Sequence, residues 1–205
     1  MAPPCCKKVK PENAARLFRN PASILLNGTV LEILSTKRTI LEIGAGCLRN
    51  ALYLAGMGHR VTVLEVPEMK QRFPEQYRRF EDAGGRVLKN LTAARRFELV
   101  LSTFVVETIC NRHERISLLR KVNEHLRIGG TLILSARGPR DLLTAKNTGV
   151  PCGDGYLTPN HSFARSFTRS QMERLLRSTG FQGLHFLHKK SSNEPEYLHV
   201  IASKK

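Results

Sequence analysis

The sequence predicts an α/β fold: a doubly wound, mostly parallel seven-stranded sheet with helices on both faces and a C-terminal antiparallel hairpin. Short aliphatic runs (TILEI from Thr39, RVTVLEV from Arg60, FELVLST from Phe97, TLILSA from Thr131) alternate with stretches whose apolar residues recur every three or four positions. That is the rhythm of strands crossed by helices. The last two candidate strands, residues 183–188 and 197–203, are separated by the polar turn SSNEP and read as a hairpin.

At 205 residues and 41% hydrophobic content, the chain is expected to bury one core as a single domain, 1–205. Residues 1–10 carry two prolines, three lysines and no periodicity, as a flexible leader does. Residues 11–36 read as N-terminal helices, one over 12–18 and a second with Asn20 as cap and Pro21 at its first position. Residues 37–205 then form the core. After the opening strand, Leu48, Ala51, Leu52 and Ala55 share a helical face, and Gly56 and Gly58 end that helix. A polar helical stretch over 68–83 breaks near Pro74, and Ile116, Leu119, Val122 and Leu126 mark a further helix over 113–126. Residues 137–167 lose all periodicity and are rich in Gly, Pro, Asn and Asp; loops that long inside compact domains are commonly functional. TRSQ, Thr168 to Gln171, matches a capping box opening the last helix.

Charge is the loudest bulk property. Thirty-three Lys and Arg oppose 17 Asp and Glu, a formal net of +16, which favours polyanionic partners and keeps a nucleic acid in view. The basic residues are spread along the chain, however, as in a basic enzyme acting on a small molecule. No apolar run reaches membrane-spanning length and the N-terminus has no secretory apolar stretch, so a soluble, cytoplasmic protein without a membrane partner is expected. Composition says nothing of oligomeric state. The five cysteines are odd in number and scattered, against a disulfide framework. Cys5 and Cys6 are adjacent and form no CxxC pair, so no metal site is expected.

Residues 40–66, ILEIGAGCLRNALYLAGMGHRVTVLEV, are the organising stretch. A buried strand runs into Gly44 and Gly46, where the backbone bends and approaches a ligand without a Cβ in the way. A helix then presents its N-terminal amides, and a second strand ends at Glu65. Glu65 lies 21 positions after Gly44, where a carboxylate accepts both hydroxyls of a ribose. A dinucleotide-binding fingerprint would place a third glycine where Arg49 stands, which disfavours an oxidoreductase.

With LEIGAG (41–46), Glu65, FELVLSTFVVETI (97–109), LRIGGTLILSARG (126–138) and the capped helix ending in STGF (178–181), residues 35–205 resemble the class I S-adenosylmethionine-dependent methyltransferases. The segment GCLRNALYLAGMGHRVTVLE is also similar to the tellurite-resistance and small-molecule branch, where an Arg-Asn pair opens the first helix. The resemblance implies S-adenosyl-L-methionine as cofactor. It places Glu42, Gly44 and Gly46 around the methionine portion, Glu65 on the ribose, Asn90 near the adenine amino group, and Ser102 and Thr103 beneath the methyl-transfer site, with Phe104 and Glu107 beside it. Leu48 stands where a third glycine is common, Lys89 and Asn90 replace Gly-Asp, and the strand 4 motif is not Asn-Pro-Pro-Tyr, which counts against amino-methylation of adenine.

The sulfonium donor is already activated, so holding donor and acceptor in line supplies much of the rate. A base is needed only when the acceptor carries a proton of high pKa. Glu107 and His161 are the principal candidates, with His113 and Asp154 behind them. The loop 137–167 supplies the recognition residues Tyr156, Phe163 and Arg165, joined by Phe104. Cys47 and Cys110 read as small core residues. The reading is methyl transfer to a small-molecule acceptor; the alternatives are an RNA or DNA methyltransferase and a non-catalytic cofactor-binding module.

Overall fold

The computed structural model describes residues 3–91, 95–187 and 195–205. The central strands are β1 (Thr39–Ile43), β2 (Arg60–Leu64), β3 (Arg86–Leu88), β4 (Phe97–Thr103) and β5 (Leu126–Arg137). Three short strands follow, β6 (Val150–Cys152), β7 (Gly155–Leu157) and β8 (Phe163–Ala164), and the chain closes with β9 (Phe181–Phe186) and β10 (Tyr197–Lys204). The main sheet has the order β3-β2-β1-β4-β5-β10-β9; β6, β7 and β8 form a separate antiparallel sheet. Strands β1 to β5 are parallel, while β10 runs antiparallel to both β5 and β9. From β1 the chain winds outward through β2 and β3, then returns to β4 on the other side. The carboxyl ends of β1 and β4 therefore border the crevice where ligands bind in open α/β sheets.

Alternation along the strands makes two cores. Ile40, Leu99, Leu101 and Ile133 face α1 (Gly28–Thr36), α2 (Arg49–Gly56), α3 (Pro67–Arg72) and α4 (Pro74–Asp82), meeting Leu34, Leu54, Met69 and Phe80. Their neighbours Leu41, Val100, Leu132 and Leu134 face the opposite way and meet Leu119 and Val122 of α5 (Arg112–His125). After α6 (Leu143–Thr148), Met172 and Leu176 of α7 (Arg169–Ser178) complete that second core. The capping box of α7 is formed, with Thr168 accepting from the Gln171 amide and Gln171 from that of Thr168.

The N-terminal third departs from expectation. Residues 12–18 do not form a helix; a 3-10 turn, Pro11–Ala14, takes their place. The second expected helix is broken into a 3-10 turn, Ser23–Leu26, and α1, because Asn27 is extended. Within the expected flexible leader, Pro4–Lys8 is a 3-10 turn whose Cys5 and Cys6 are disulfide-bonded to Cys152 and Cys110. The expectation against disulfides is thus corrected: cysteines far apart in sequence meet because the leader folds back over β6 and the start of α5. The 137–167 stretch holds a 3-10 turn, α6 and the small sheet, in segments too short for periodicity to reveal. The SSNEP turn, apart from Pro195, lies outside the described residues.

Candidate cofactor and acceptor site

Strand β1 ends in the glycine turn. Gly44 (φ 62°) and Gly46 (φ 54°) adopt left-handed backbone, and a Cβ on Gly44 would lie 2.6 Å from Cγ2 of Val105. Leu48, which replaces the commoner third glycine, takes the same conformation (φ 64°) and is the N-cap of α2. A left-handed leucine is strained, and its fully buried side chain holds it there.

Glu42 is completely buried. Its Oε1 accepts from Nδ2 of Asn50 at 2.8 Å, and the same amide donates to Oγ1 of Thr103 at 3.0 Å, joining β1, α2 and the end of β4. Oδ1 of Asn50 accepts from the Ala22 amide at 2.8 Å, which anchors the N-terminal segment. Burial pushes the Glu42 carboxyl up to about 7, against the Asn50 hydrogen bond. Its Oε2, like Oγ of Ser102, is buried without a hydrogen-bond partner among the described residues.

Glu65 follows β2 and turns toward the glycine loop: one oxygen accepts from the Gly46 amide at 2.7 Å, the other from the Val66 amide at 2.8 Å. Burial raises its pKa, opposed by those two amides. Each oxygen keeps a lone pair for a ligand hydroxyl. The hydroxyl of Tyr77 on α4 donates to the Gly46 carbonyl at 3.1 Å, and the N-terminal segment passes over the loop, bringing Ala15 within contact of a Gly46 Cβ. Buried carboxylates with spare acceptors beside a Cβ-free turn suit the amino and hydroxyl groups of S-adenosylmethionine.

Beyond β4, Phe104 is left-handed (φ 59°), donates its amide to the Ser135 carbonyl and meets the Tyr197 ring edge-on at 5.3 Å. Glu107 has no exposed surface, and both carboxylate oxygens lack hydrogen-bond partners among the described residues. Nε of Arg137 on β5 lies 4.0 Å from its Oε1. Burial drives Glu107 up to about 8, against the pull of the nearby Glu107 and Arg137 amides and of the Arg137 charge; those amides are near the carboxyl but do not meet hydrogen-bond geometry. Its carbonyl accepts from the Arg165 amide at 3.2 Å, which seats the segment after β8 against the end of β4. Arg165 stacks on Phe167 at 4.1 Å and shares Asp154 with Arg115; burial, then the neighbouring Arg115, lowers it to about 10.

The expected site residues divide clearly. Glu42, Gly44, Gly46, Glu65, Ser102, Thr103, Phe104 and Glu107 gather at the carboxyl ends of β1, β2 and β4. Asn90 is exposed, two positions past β3. Tyr156 is half-buried on β7, opposite Ala164. Phe163, 1% exposed, packs into a small core with Cys110 and Cys152, and His161 is an exposed left-handed turn residue whose carbonyl accepts from the Lys10 amide. Sequence reasoning noted the Arg49-Asn50 pair without seeing that Asn50 clamps Glu42. Tyr77 and Arg137 had no sequence signal.

A seven-stranded sheet with one reversed strand, a glycine turn after β1 and an acid after β2 define a class I S-adenosylmethionine-dependent methyltransferase. Residues 13–185 match a family model described as a methyltransferase domain, and the chain belongs to that family. No curated protein sequence matches it. Among solved structures it resembles the CcbJ methyltransferase from Streptomyces caelestis (TM-score 0.65, 17% identity, 85% of this chain and 87% of that one). A methyltransferase from Clostridium acetobutylicum is also similar (TM-score 0.67, 14% identity, 89% and 90%). So is the Burkholderia thailandensis 1,6-didemethyltoxoflavin-N1-methyltransferase, solved with 1,6-didemethyltoxoflavin and S-adenosylhomocysteine (TM-score 0.57, 21% identity, 97% and 78%).

Proposed function

We propose that this chain methylates a small-molecule acceptor, with Glu107 as the group that receives the acceptor's proton. The observation behind this reading is Glu107 itself: a fully buried carboxylate without a hydrogen-bond partner among the described residues, at the carboxyl edge of β4. Such a group is costly to bury unless a ligand meets it. Bound S-adenosylmethionine supplies a methyl group on an activated sulfonium. Glu42, Gly44 and Gly46 then hold the methionine portion, Glu65 the ribose hydroxyls and Asn90 the adenine amino group, while Ser102 and Thr103 lie beneath the transfer site. Phe104 walls the acceptor side, and the 137–167 segment, with Tyr156 and Arg165, recognises the acceptor.

A small acceptor is also suggested by the way the chain closes on itself. The N-terminal segment crosses the glycine turn and is joined to the 137–167 segment through Lys10 and His161 and through Asn13 and Asn160. The same 137–167 segment is seated on Glu107 through the Arg165 amide, so the end of β4 is enclosed, as compact pockets are. The 1,6-didemethyltoxoflavin enzyme, a structural neighbour, acts on a molecule of that size class.

Methyl transfer from labelled S-adenosylmethionine, offered in parallel to small heteroaromatic and phenolic acceptors, total RNA and duplex DNA, tests this. Labelled small product that disappears with Glu107→Gln is expected. Label appearing only in nucleic acid, with binding that falls steeply as salt rises, overturns it.

A further inference from the structure

We propose that Cys5, Cys6, Cys110 and Cys152, in their thiolate form, are a closed four-sulfur site for a structural zinc ion that pins the N-terminal segment to the small sheet.

The four sulfurs all lie within 4.8 Å of one another. In the oxidised chain they form the Cys5–Cys152 and Cys6–Cys110 disulfides. Because Cys5 and Cys6 are consecutive, the two disulfides lie side by side, and the sulfurs of Cys110 and Cys152, from different disulfides, are 3.4 Å apart. That convergence of all four sulfurs is what a metal site requires. Zinc with thiolates at about 2.3 Å in tetrahedral array sets sulfurs about 3.8 Å apart, inside the present spread. Four soft thiolates and no other ligand type select such an ion over harder cations.

The ligands come from three separate places: the 3-10 turn Pro4–Lys8, the residue before the Asn111 N-cap of α5, and the end of β6. Cys110 and Cys152 are buried beside Phe163, so they are preset, while the leader brings the other pair.

Electrostatics supports the same assignment. Arg115, 1% exposed in its side chain, and Arg165 both converge on the single carboxylate of Asp154, two residues beyond Cys152. Arg112 adds to the positive potential at both arginines. Arg115 also donates to the carbonyls of Ile109 and Cys110, which places this charge against the cysteine segment. Zinc with four thiolates carries a net double negative charge, and Arg115 and Arg165, which share the single carboxylate of Asp154, set an excess of positive charge beside it.

The test uses the full chain, reduced with a phosphine and freed of metal by a chelator, then titrated with Zn²⁺ or Co²⁺ alone. Expected are one equivalent bound, an intense tetrahedral tetrathiolate cobalt spectrum, and protection of four of the five thiols from maleimide. Cys5→Ser and Cys6→Ser, which leave both core cysteines in place, are expected to weaken zinc binding by more than the roughly 10–100-fold that loss of a supporting partner costs. Cys47→Ser is expected to leave it unchanged. The proposal is overturned if the reduced chain, with native circular dichroism, leaves all five thiols reactive at one equivalent of zinc, or if Cys5→Ser and Cys6→Ser bind as tightly as the unmodified chain.

Discussion

Nδ2 of Asn50 donates to Oε1 of Glu42 at 2.8 Å while Oδ1 of the same side chain accepts from the Ala22 amide at 2.8 Å. One amide thus couples the buried acid of β1 to the segment that crosses the glycine turn. Asn50→Leu removes both bonds and the one to Oγ1 of Thr103, leaving a buried carboxylate and a buried backbone amide without this partner. Each unmet group costs about 1–3 kcal/mol, so urea unfolding is expected to show a loss of about 2–4 kcal/mol. Unchanged stability would mean that the carboxylate is satisfied otherwise.

Glu107→Gln is expected to lower the methyl-transfer rate by roughly 10²–10⁴-fold if the carboxylate takes the acceptor's proton. In the unmodified enzyme that role needs the ionised form, so the rate should climb with pH and level off above about 8. A rate independent of pH from 6 to 9 would remove Glu107 as base.

The same residue sets a stability trend of opposite sense. Burial raises its folded pKa from the ordinary glutamate value to about 8, so the folded chain holds a proton that the unfolded chain releases. Stability from this group is therefore full below the ordinary glutamate value and is lost as pH rises through about 8. Glu107→Gln should match the unmodified chain near pH 4 and exceed it near pH 9 by on the order of a few kcal/mol, read as a rise in melting temperature.

Glu65→Gln keeps the shape and removes the charge that draws the Gly46 and Val66 amides. Charge-assisted hydrogen bonds contribute about 1.5–3 kcal/mol, so calorimetry with S-adenosylhomocysteine should show affinity about 10–100-fold weaker. An unaltered Kd would place the ribose elsewhere.

Gly44→Ala sets a Cβ 2.6 Å from Val105 at a left-handed backbone position. A loss of about 1–3 kcal/mol is expected. Pairing it with Val105→Ala should cost less than the sum of the two changes, since the truncation clears the space; strict additivity would count against the clash.

The central sheet, its two cores and the reversed last strand were legible in the sequence because β1, β4 and β5 alternate their faces over several residues: Ile40 and Leu99 one way, Leu41 and Val100 the other. The glycine turn and Glu65 were legible through spacing, and Glu107 through its place after β4. Local rules failed in the N-terminal third. Asn27 breaks a helix that its apolar side favours, and β6 to β8 are two or three residues each, below the length at which a period exists.

By itself the sequence determined where the glycine turn, the acid after β2 and the motif at the end of β4 fall, since each depends on neighbours a few residues away. Tertiary structure alone decided which distant groups meet. It brought Asn50 to Glu42, Arg165 to Glu107, and Cys5 and Cys6 across more than 100 residues to Cys152 and Cys110. Those pairings arise when the N-terminal segment and the small sheet close over the carboxyl edge of the main sheet, and no spacing along the chain records that approach.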